Sequence, residues 1–424
     1  MHVDLNYGRQ GLKINLPETA DVLRTHFQPG IPDEAGAIRQ ALQKPIASPP
    51  LASLVKPGDR VIVVHTDITR ATPNDRILPV LLDELLAAGI HARDITLLNG
   101  LGTHRRQTDA ELRIMLGDQI VDRYHCLQHD CYDDSNLVSL GETSLGNPVR
   151  INRHYIESDV RIITGFIEPH FFAGFSGGPK AILPSLAGRE SVFSNHGLEM
   201  IAHPQAAWGV TEGNPLWEEM REVAVGTKPT FLLNVALNTQ QEITAVFAGD
   251  MLAAHTQGCV YVKQNAMVAV DAPYDIVVTT NSGYPLDQNL YQSVKGMSAA
   301  SQVVRDGGAI IIATACEDGL PDHGLYAELL AEAGSPQGIL EMISKPGFSV
   351  QDQWQVQVQA QIQLHADVYV YSDGLSDDQI RQALFLPCQD VEATLERLQA
   401  SLGSQARICV MPEGPQLIPY LSAG

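Results

Sequence analysis

The chain has 424 residues, 44% apolar and 18% charged, a length beyond the usual single core and a composition typical of globular proteins, so two domains are expected. A formal charge of −21 leaves no basic surplus to neutralise phosphates, which argues against nucleic acid or an anionic membrane as partner. The six cysteines lack framework spacing, the apolar runs are too short for a bilayer and the first residues lack a secretory pattern, so the expected location is cytoplasmic.

The first predicted strand is VIVVHT (61–66), and the helix-like NDRILPVLLDELLAAG (74–89) comes after it. ITLLNG (95–100) is the next strand. TDAE at 108–111 then opens a helix as a capping box, with Thr108 and Glu111 each satisfying a free backbone donor. VRIITGFI (160–167) and TFLLNVAL (230–237) are further strands, and a helix starts near Asp250. A second set runs from YDIVVTTN (274–281) through LYQSVKGMSAASQVV, GAIIIATA (308–315) and a long helical tract to VYVYSDG (368–374). This alternation predicts an α/β fold of two domains, each a mostly parallel sheet flanked by helices. The first is expected over 1–268 and the second over 269–403. The closing stretch RICVMPEGPQLIPYL (407–421) reads as a strand and a helix, expected to return, within 404–424, to the first domain.

Open α/β sheets bind ligands beyond the carboxyl ends of their strands. TDITRATP (66–73), NGLGTHRR (99–106) and EPHFFAGFSGGPK (168–180) lie at such ends, and NSGYPLDQNLYQSVK (281–295) plays the same part in the second half. Gly174, Gly177 and Gly178 form neither a P-loop nor a dinucleotide fingerprint. They suit close approach of a ligand to the backbone, or simply a tight turn. Lys180 is an anion contact, a nucleophile if desolvated, or a solvated surface lysine. One histidine at a strand end is usually structural, but His104 and His170 follow separate strands and suggest an acid–base pair. Asp67 could orient a histidine or bind a ribose, and Arg70 could grip a carboxylate or phosphate. HCLQHDC (125–131) crowds two His and two Cys without a second pair at zinc spacing, so strand and loop are expected there.

TDITR, GTHR, EPHFFAGFSGGPK, His196 sixteen residues beyond Lys180, YQSVK and Trp354 together resemble the lactate racemase family, in matching order over most of the chain. The resemblance implies a racemase or epimerase of 2-hydroxy acids with its active site in the cleft between the domains. It also implies a nickel-pincer nucleotide, a pyridinium mononucleotide whose two sulfur arms hold nickel. Carried over by residue, Lys180 would hold the cofactor, covalently in some members, and His196 would ligate nickel. Asp67, Gly174, Gly177 and Gly178 would seat the nucleotide. His104 and His170 would be the acid–base pair, with Arg70, Tyr291, Gln292, Lys295, Trp354 and Phe172 around the substrate. The implied reaction removes hydride from C2 to give a planar 2-keto acid and returns it to the opposite face. Bulky apolar walls at Phe171 and Phe172 favour lactate or a similarly small acid, and cofactor-synthesis enzymes are implied maturation partners. Two rival readings are a zinc hydrolase using His104, His170 and His196, and a non-catalytic carboxylate- or nucleotide-binding protein on the same fold.

Overall fold

The computed structural model describes residues 1–321, 324–403 and 405–422. Its frame is two six-stranded sheets. Across the first lie Ile243–Gly249, Phe231–Leu237, Val160–Phe166, Val61–Thr66, Ile95–Gly100 and His125–Gln128. All neighbours run parallel except the edge strand Ile243–Gly249, which folds back on Phe231–Leu237 as a hairpin that the apolar pattern did not reveal. Successive residues of a strand face opposite ways. Val61 and Val63 therefore pack with Ile77, Leu81 and Leu112 on one face, and Ile62 and Val64 with Ile182, Leu216 and Ala254 on the other. Covering both faces is why these strands read as unbroken apolar runs. The helix Asp109–Leu116 starts at the expected capping box, with Thr108 Oγ1 accepting from Glu111 N at 3.2 Å and the Glu111 carboxylate accepting from Thr108 N at 2.7 Å.

The second sheet runs Leu386–Pro387, Ala366–Tyr371, Val304–Ala313, Tyr274–Thr280, Ile408–Met411 and Asp21–Val22, parallel throughout. Both ends of the chain correct the expected domain limits. Ile408–Met411 hydrogen-bonds along Tyr274–Thr280, so the closing stretch completes the second sheet and does not return to the first. Beyond that strand the chain forms no helix of the expected kind. It makes a short 3₁₀ turn, Gly414–Gln416, and then a strand, Ile418–Leu421, paired with Met267–Val270. Ser404 and residues 423–424 of that expected segment lie outside the described residues.

The start of the chain likewise belongs with the second sheet. The hairpin of His2–Leu5 and Leu12–Asn15 packs Val3, Leu5 and Ile14 against Ile276, Val278 and Ile311, and Asp21–Val22 adds the edge strand. The physical reason is coverage. One face of this sheet is closed partly by Val391 and Leu395, and the amino-terminal hairpin supplies the rest. In the HCLQHDC stretch, His129 bonds the Ala187 carbonyl at 3.0 Å and the Asn152 amide at 3.1 Å, a structural histidine on a strand and loop. The six cysteines are free thiols. Among the described residues, no helix is long and apolar enough to cross a membrane.

Candidate active site

In the first sheet the chain steps from Val61–Thr66 to Ile95–Gly100 on one side and places Val160–Phe166 on the other. The carboxyl ends of these strands therefore flank a crevice, the expected ligand position of a doubly wound sheet. A solvent-connected cavity of about 910 Å³ opens there against the second domain. Asp67, Arg70, His104, His170, Phe172, Gly177, Lys180, His196, Tyr291, Gln292, Lys295 and Trp354 all line it, so the structure brings twelve predicted positions from both domains to one place.

The two histidines are held in opposite tautomers. Asp67, 4% exposed, accepts from His104 Nδ1 at 2.5 Å, and its other oxygen accepts from Thr69 Oγ1 at 2.8 Å. His104 therefore carries its proton on Nδ1 and offers the lone pair of Nε2. Burial alone would raise the Asp67 pKa, but His104, Arg70 and the Thr69 hydroxyl hold it well below the usual carboxylate range. On the opposite loop, the short antiparallel pairing of Pro169–His170 with Gly174–Phe175 turns the chain so that Ala173 N donates to His170 Nδ1 at 3.2 Å. That contact puts the His170 proton on Nε2. Burial, then the charges of Lys180, Lys295 and Arg70, keep this ring neutral, its pKa well below the ordinary value.

Three basic side chains, Arg70, Lys180 and Lys295, converge on the cavity. Arg70 Nη1 is buried without a hydrogen-bond partner. Lys295 Nζ donates to Gln292 Oε1 at 2.7 Å, both from the helix Leu290–Ser301, whose first turn is capped by Asn289 accepting from Gln292 N. Burial and then Arg70 bring the Lys180 amine down to about 7, so near neutral pH a large fraction is uncharged and nucleophilic. His196 ends the helix Arg189–Asn195 and is 3% exposed, and burial followed by Lys180 lowers it to about 3. Its Nδ1 has no partner. Its ring lies between the edges of Phe172, 5.2 Å away, and Trp354, 5.3 Å away, while Trp354 Nε1 donates to Tyr291 Oη at 2.9 Å.

The residues fit a metal-bearing organic group better than a protein-built metal centre. Among the described residues, no three His, Cys, Asp or Glu side chains are grouped to hold an ion. One neutral, unpartnered imidazole is what a metal arriving with its other donors already in place would need, and nitrogen suits nickel. An orphaned guanidinium nitrogen and two lysines suit the phosphate and carboxylate that such a nucleotide and its substrate carry.

Three expectations about the site change. Gly174 and Gly178 do not line the cavity. A Cβ on Gly174 would lie 2.2 Å from the Val210 carbonyl oxygen, and one on Gly178 would lie 2.4 Å from the His255 ring, so these glycines admit the protein's own atoms, not a ligand. The Gly178 N–H is already donated to Asn234 Oδ1 at 3.0 Å and is not free for a phosphate. Asp67 has both oxygens committed to His104 and Thr69, which favours orienting a histidine over seating a nucleotide. Phe172 and Trp354 pack against His196 as well as lining the cavity.

Sequence reasoning gave no role to Glu168 or Gln355. Burial raises the Glu168 pKa and the charges of Lys295, Arg70 and Lys180 act the other way, which marks it as the carboxyl electrostatically linked to the basic side chains of the cavity. Glu168 is the one acidic residue between Asp159 and Glu190, a signal available in the sequence. Gln355 donates to the Tyr291 carbonyl and lines the cavity, but a run of alternating glutamines hid it.

Fold and cavity define an α/β cleft enzyme with paired histidines. The Lactate racemase N-terminal domain model matches residues 7–209 and the Lactate racemase C-terminal domain model matches residues 269–418. The chain belongs to the lactate racemase family, and it is accordingly an isomerase. It is 34% identical over 424 residues to lactate racemase of Thermoanaerobacterium thermosaccharolyticum, covering 98% of this chain and 99% of that protein. Against lactate racemase of Lactiplantibacillus plantarum, identity is 37% over 384 residues and 90% of each chain. The solved lactate racemase apoprotein of T. thermosaccharolyticum superposes with a TM-score of 0.91 at 33% identity, covering 99% of this chain and all of that one. A Thermotoga maritima protein superposes with a TM-score of 0.71 at 20% identity, covering 92% of this chain and 98% of the other, which speaks for the fold alone.

Proposed function

We propose that this enzyme racemises lactate, or a 2-hydroxy acid of similar size, with a nickel-pincer nucleotide as cofactor. The observation that carries the reading is the pair of histidines, one with Nδ1 donating to Asp67 and the other with Nδ1 accepting from Ala173 N, lining one cavity with an unpartnered Arg70 nitrogen. Arg70 and Lys295 would bind the substrate carboxylate, and the aromatic walls of Phe172, Tyr291 and Trp354 leave the short aliphatic end of the acid in apolar surroundings. His104 Nε2 would accept the hydroxyl proton of one enantiomer, while Asp67 stabilises the imidazolium that forms. His170 Nε2–H would donate a hydrogen bond to the oxygen on the other side, and for the opposite enantiomer the ring would take the Nδ1–H tautomer, giving up the Ala173 N–H contact, so that Nε2 accepts the hydroxyl proton. Lys180 would hold the cofactor and His196 would ligate its nickel. When bound, the cofactor supplies the hydride acceptor.

The test uses protein co-expressed with a cofactor-synthesis pathway and incubated with single-enantiomer lactate in D₂O. Loss of optical activity without deuterium at C2 is expected, together with nickel and a mass adduct that Lys180→Ala removes. Deuterium at C2 would show proton abstraction there and sink the hydride route. If racemisation stays absent after purified cofactor is added, the assignment to lactate falls.

A further inference from the structure

Two buried polar side chains outside the cavity grip the turn that carries Lys180. His255, on the helix Met251–Ala266, and Asn234, on the strand Phe231–Leu237, are each 1% exposed, and neither lines the cavity. His255 Nε2 lies 2.9 Å from the Ser176 carbonyl oxygen, and Asn234 Oδ1 accepts from Gly178 N at 3.0 Å. Since a carbonyl only accepts, the His255 proton is on Nε2. The Cys259 sulfur packs against the same ring, 3.6 Å from Nδ1 and 3.5 Å from Nε2.

The contacts are steric as well as polar. A Cβ on Gly178 would lie 2.4 Å from His255 Cγ, and one on Gly177 would lie 2.6 Å from Asn234 Oδ1. The backbone of 176–178 is thus pressed between two side chains. Gly177 and Gly178, at φ +74° and +51°, take the left-handed region that glycine tolerates best. A glycine pair is the loosest backbone available, and here it directly precedes Pro179 and Lys180. The two hydrogen bonds hold the groups on either side of Gly177, the Ser176 carbonyl and the Gly178 amide, and so restrict its torsions. Ser185 Oγ fixes the far end by donating to the Lys180 carbonyl at 2.8 Å.

We infer that His255 and Asn234 are positioning residues for Lys180, fixing the glycine turn from which its side chain enters the cavity. An apolar residue would fill the His255 site equally well. The Nε2–H donor is what selects histidine, and it acts through the turn without touching the reacting groups. The consequence for cofactor retention rests on the proposed role of Lys180, whereas the geometric claim does not.

The experiment compares wild type, His255→Leu, which fills without donating, and His255→Gln, which puts an amide N–H near the Nε2 position. In apoprotein, acetic anhydride labels lysines, and peptide mass spectrometry follows Lys180 against the exposed Lys56 and Lys228. His255→Leu is expected to change the relative labelling rate of Lys180 by a factor of roughly five to ten, with Lys56 and Lys228 unmoved. It should also reduce cofactor uptake, and His255→Gln should restore both. If His255→Leu does not fold, Asn234→Ala and Asn234→Asp replace the pair, because aspartate still accepts from Gly178 N–H. Unchanged Lys180 labelling in a folded His255→Leu or Asn234→Ala protein, or no recovery in the conservative variant, would overturn the inference. If wild type takes up no cofactor, the proposed function fails, and apoprotein labelling alone decides this one.

Discussion

Asp67 shows how much one buried carboxylate decides. It is removed from solvent and faces His104 Nδ1 at 2.5 Å. An asparagine there can accept with its carbonyl or present its amide, and nothing then forces the His104 proton onto Nδ1. Asp67→Asn is therefore expected to lower kcat by roughly 10²- to 10⁴-fold with KM for lactate nearly unchanged, the loss typical of a misoriented acid–base group. Steady-state kinetics check it. A rise in KM with kcat preserved would mean that Asp67 serves binding instead. The residue types at 67, 104, 170 and 180 were legible in the sequence, because each sits in a loop after a strand and has an obvious chemistry. Which nitrogen of each histidine faces the cavity was not. That depends on Ala173 N–H and the Asp67 carboxylate, partners that only folding brings into place.

At the level of elements, the turn 174–181 is set by what surrounds it. Gly174 and Gly213 have nearly equal torsions, φ +76° and +78°, but a Cβ on Gly174 would strike the Val210 carbonyl at 2.2 Å while nothing lies within 4 Å of one on Gly213. Alanine at 213 should cost about 1 kcal/mol for its left-handed backbone alone. Alanine at 174 should cost several times more, on the order of 3 kcal/mol or above, because backbone must move. Urea unfolding of the two apoprotein variants measures the difference, and equal midpoints would show that the 210 segment yields freely. Strands and helices of the first sheet were legible from apolar runs and the Thr108 capping box. The antiparallel return of Ile243–Gly249 was not, because ITAVFAG mixes half-buried and buried positions and carries no clean period.

Across the whole molecule, buried neutral histidines govern the response to acid. Burial lowers His65, His129 and His255 to about 4 and His196 to about 3, while His170 is also well below its ordinary value. Between pH 6.5 and 4 the unfolded chain binds protons at these rings that the folded chain refuses, so stability rises with pH across that window and is lost as pH falls. Each buried ring shifted to about 4 contributes on the order of 3 kcal/mol to the loss once the pH is below that value. Glu168, Asp287 and Glu413, whose carboxyl pKa values burial raises, oppose it by protonating more readily when folded. Five rings against three partly compensated carboxyls leave the histidines dominant. The urea midpoint of the apoprotein should therefore fall steadily from pH 6.5 to 4, and more shallowly in His129→Gln. A midpoint flat across that window would mean that the rings reach water.

The sequence by itself determined the alternation of strands and helices, the two-sheet α/β class, and the chemical types at the strand ends, since apolar periodicity and strand-end loops are local properties. Tertiary structure alone decided which sheet each chain end joins, because the hairpin of His2–Leu5 and Leu12–Asn15 is amphipathic over too few residues to show where its apolar side goes. It also decided that Gly174 and Gly178 make room for Val210 and His255, and that Asp67 faces a histidine. These are contacts between residues roughly forty to eighty positions apart, and a pattern read along the chain has no term for a neighbour that arrives only when the sheets close.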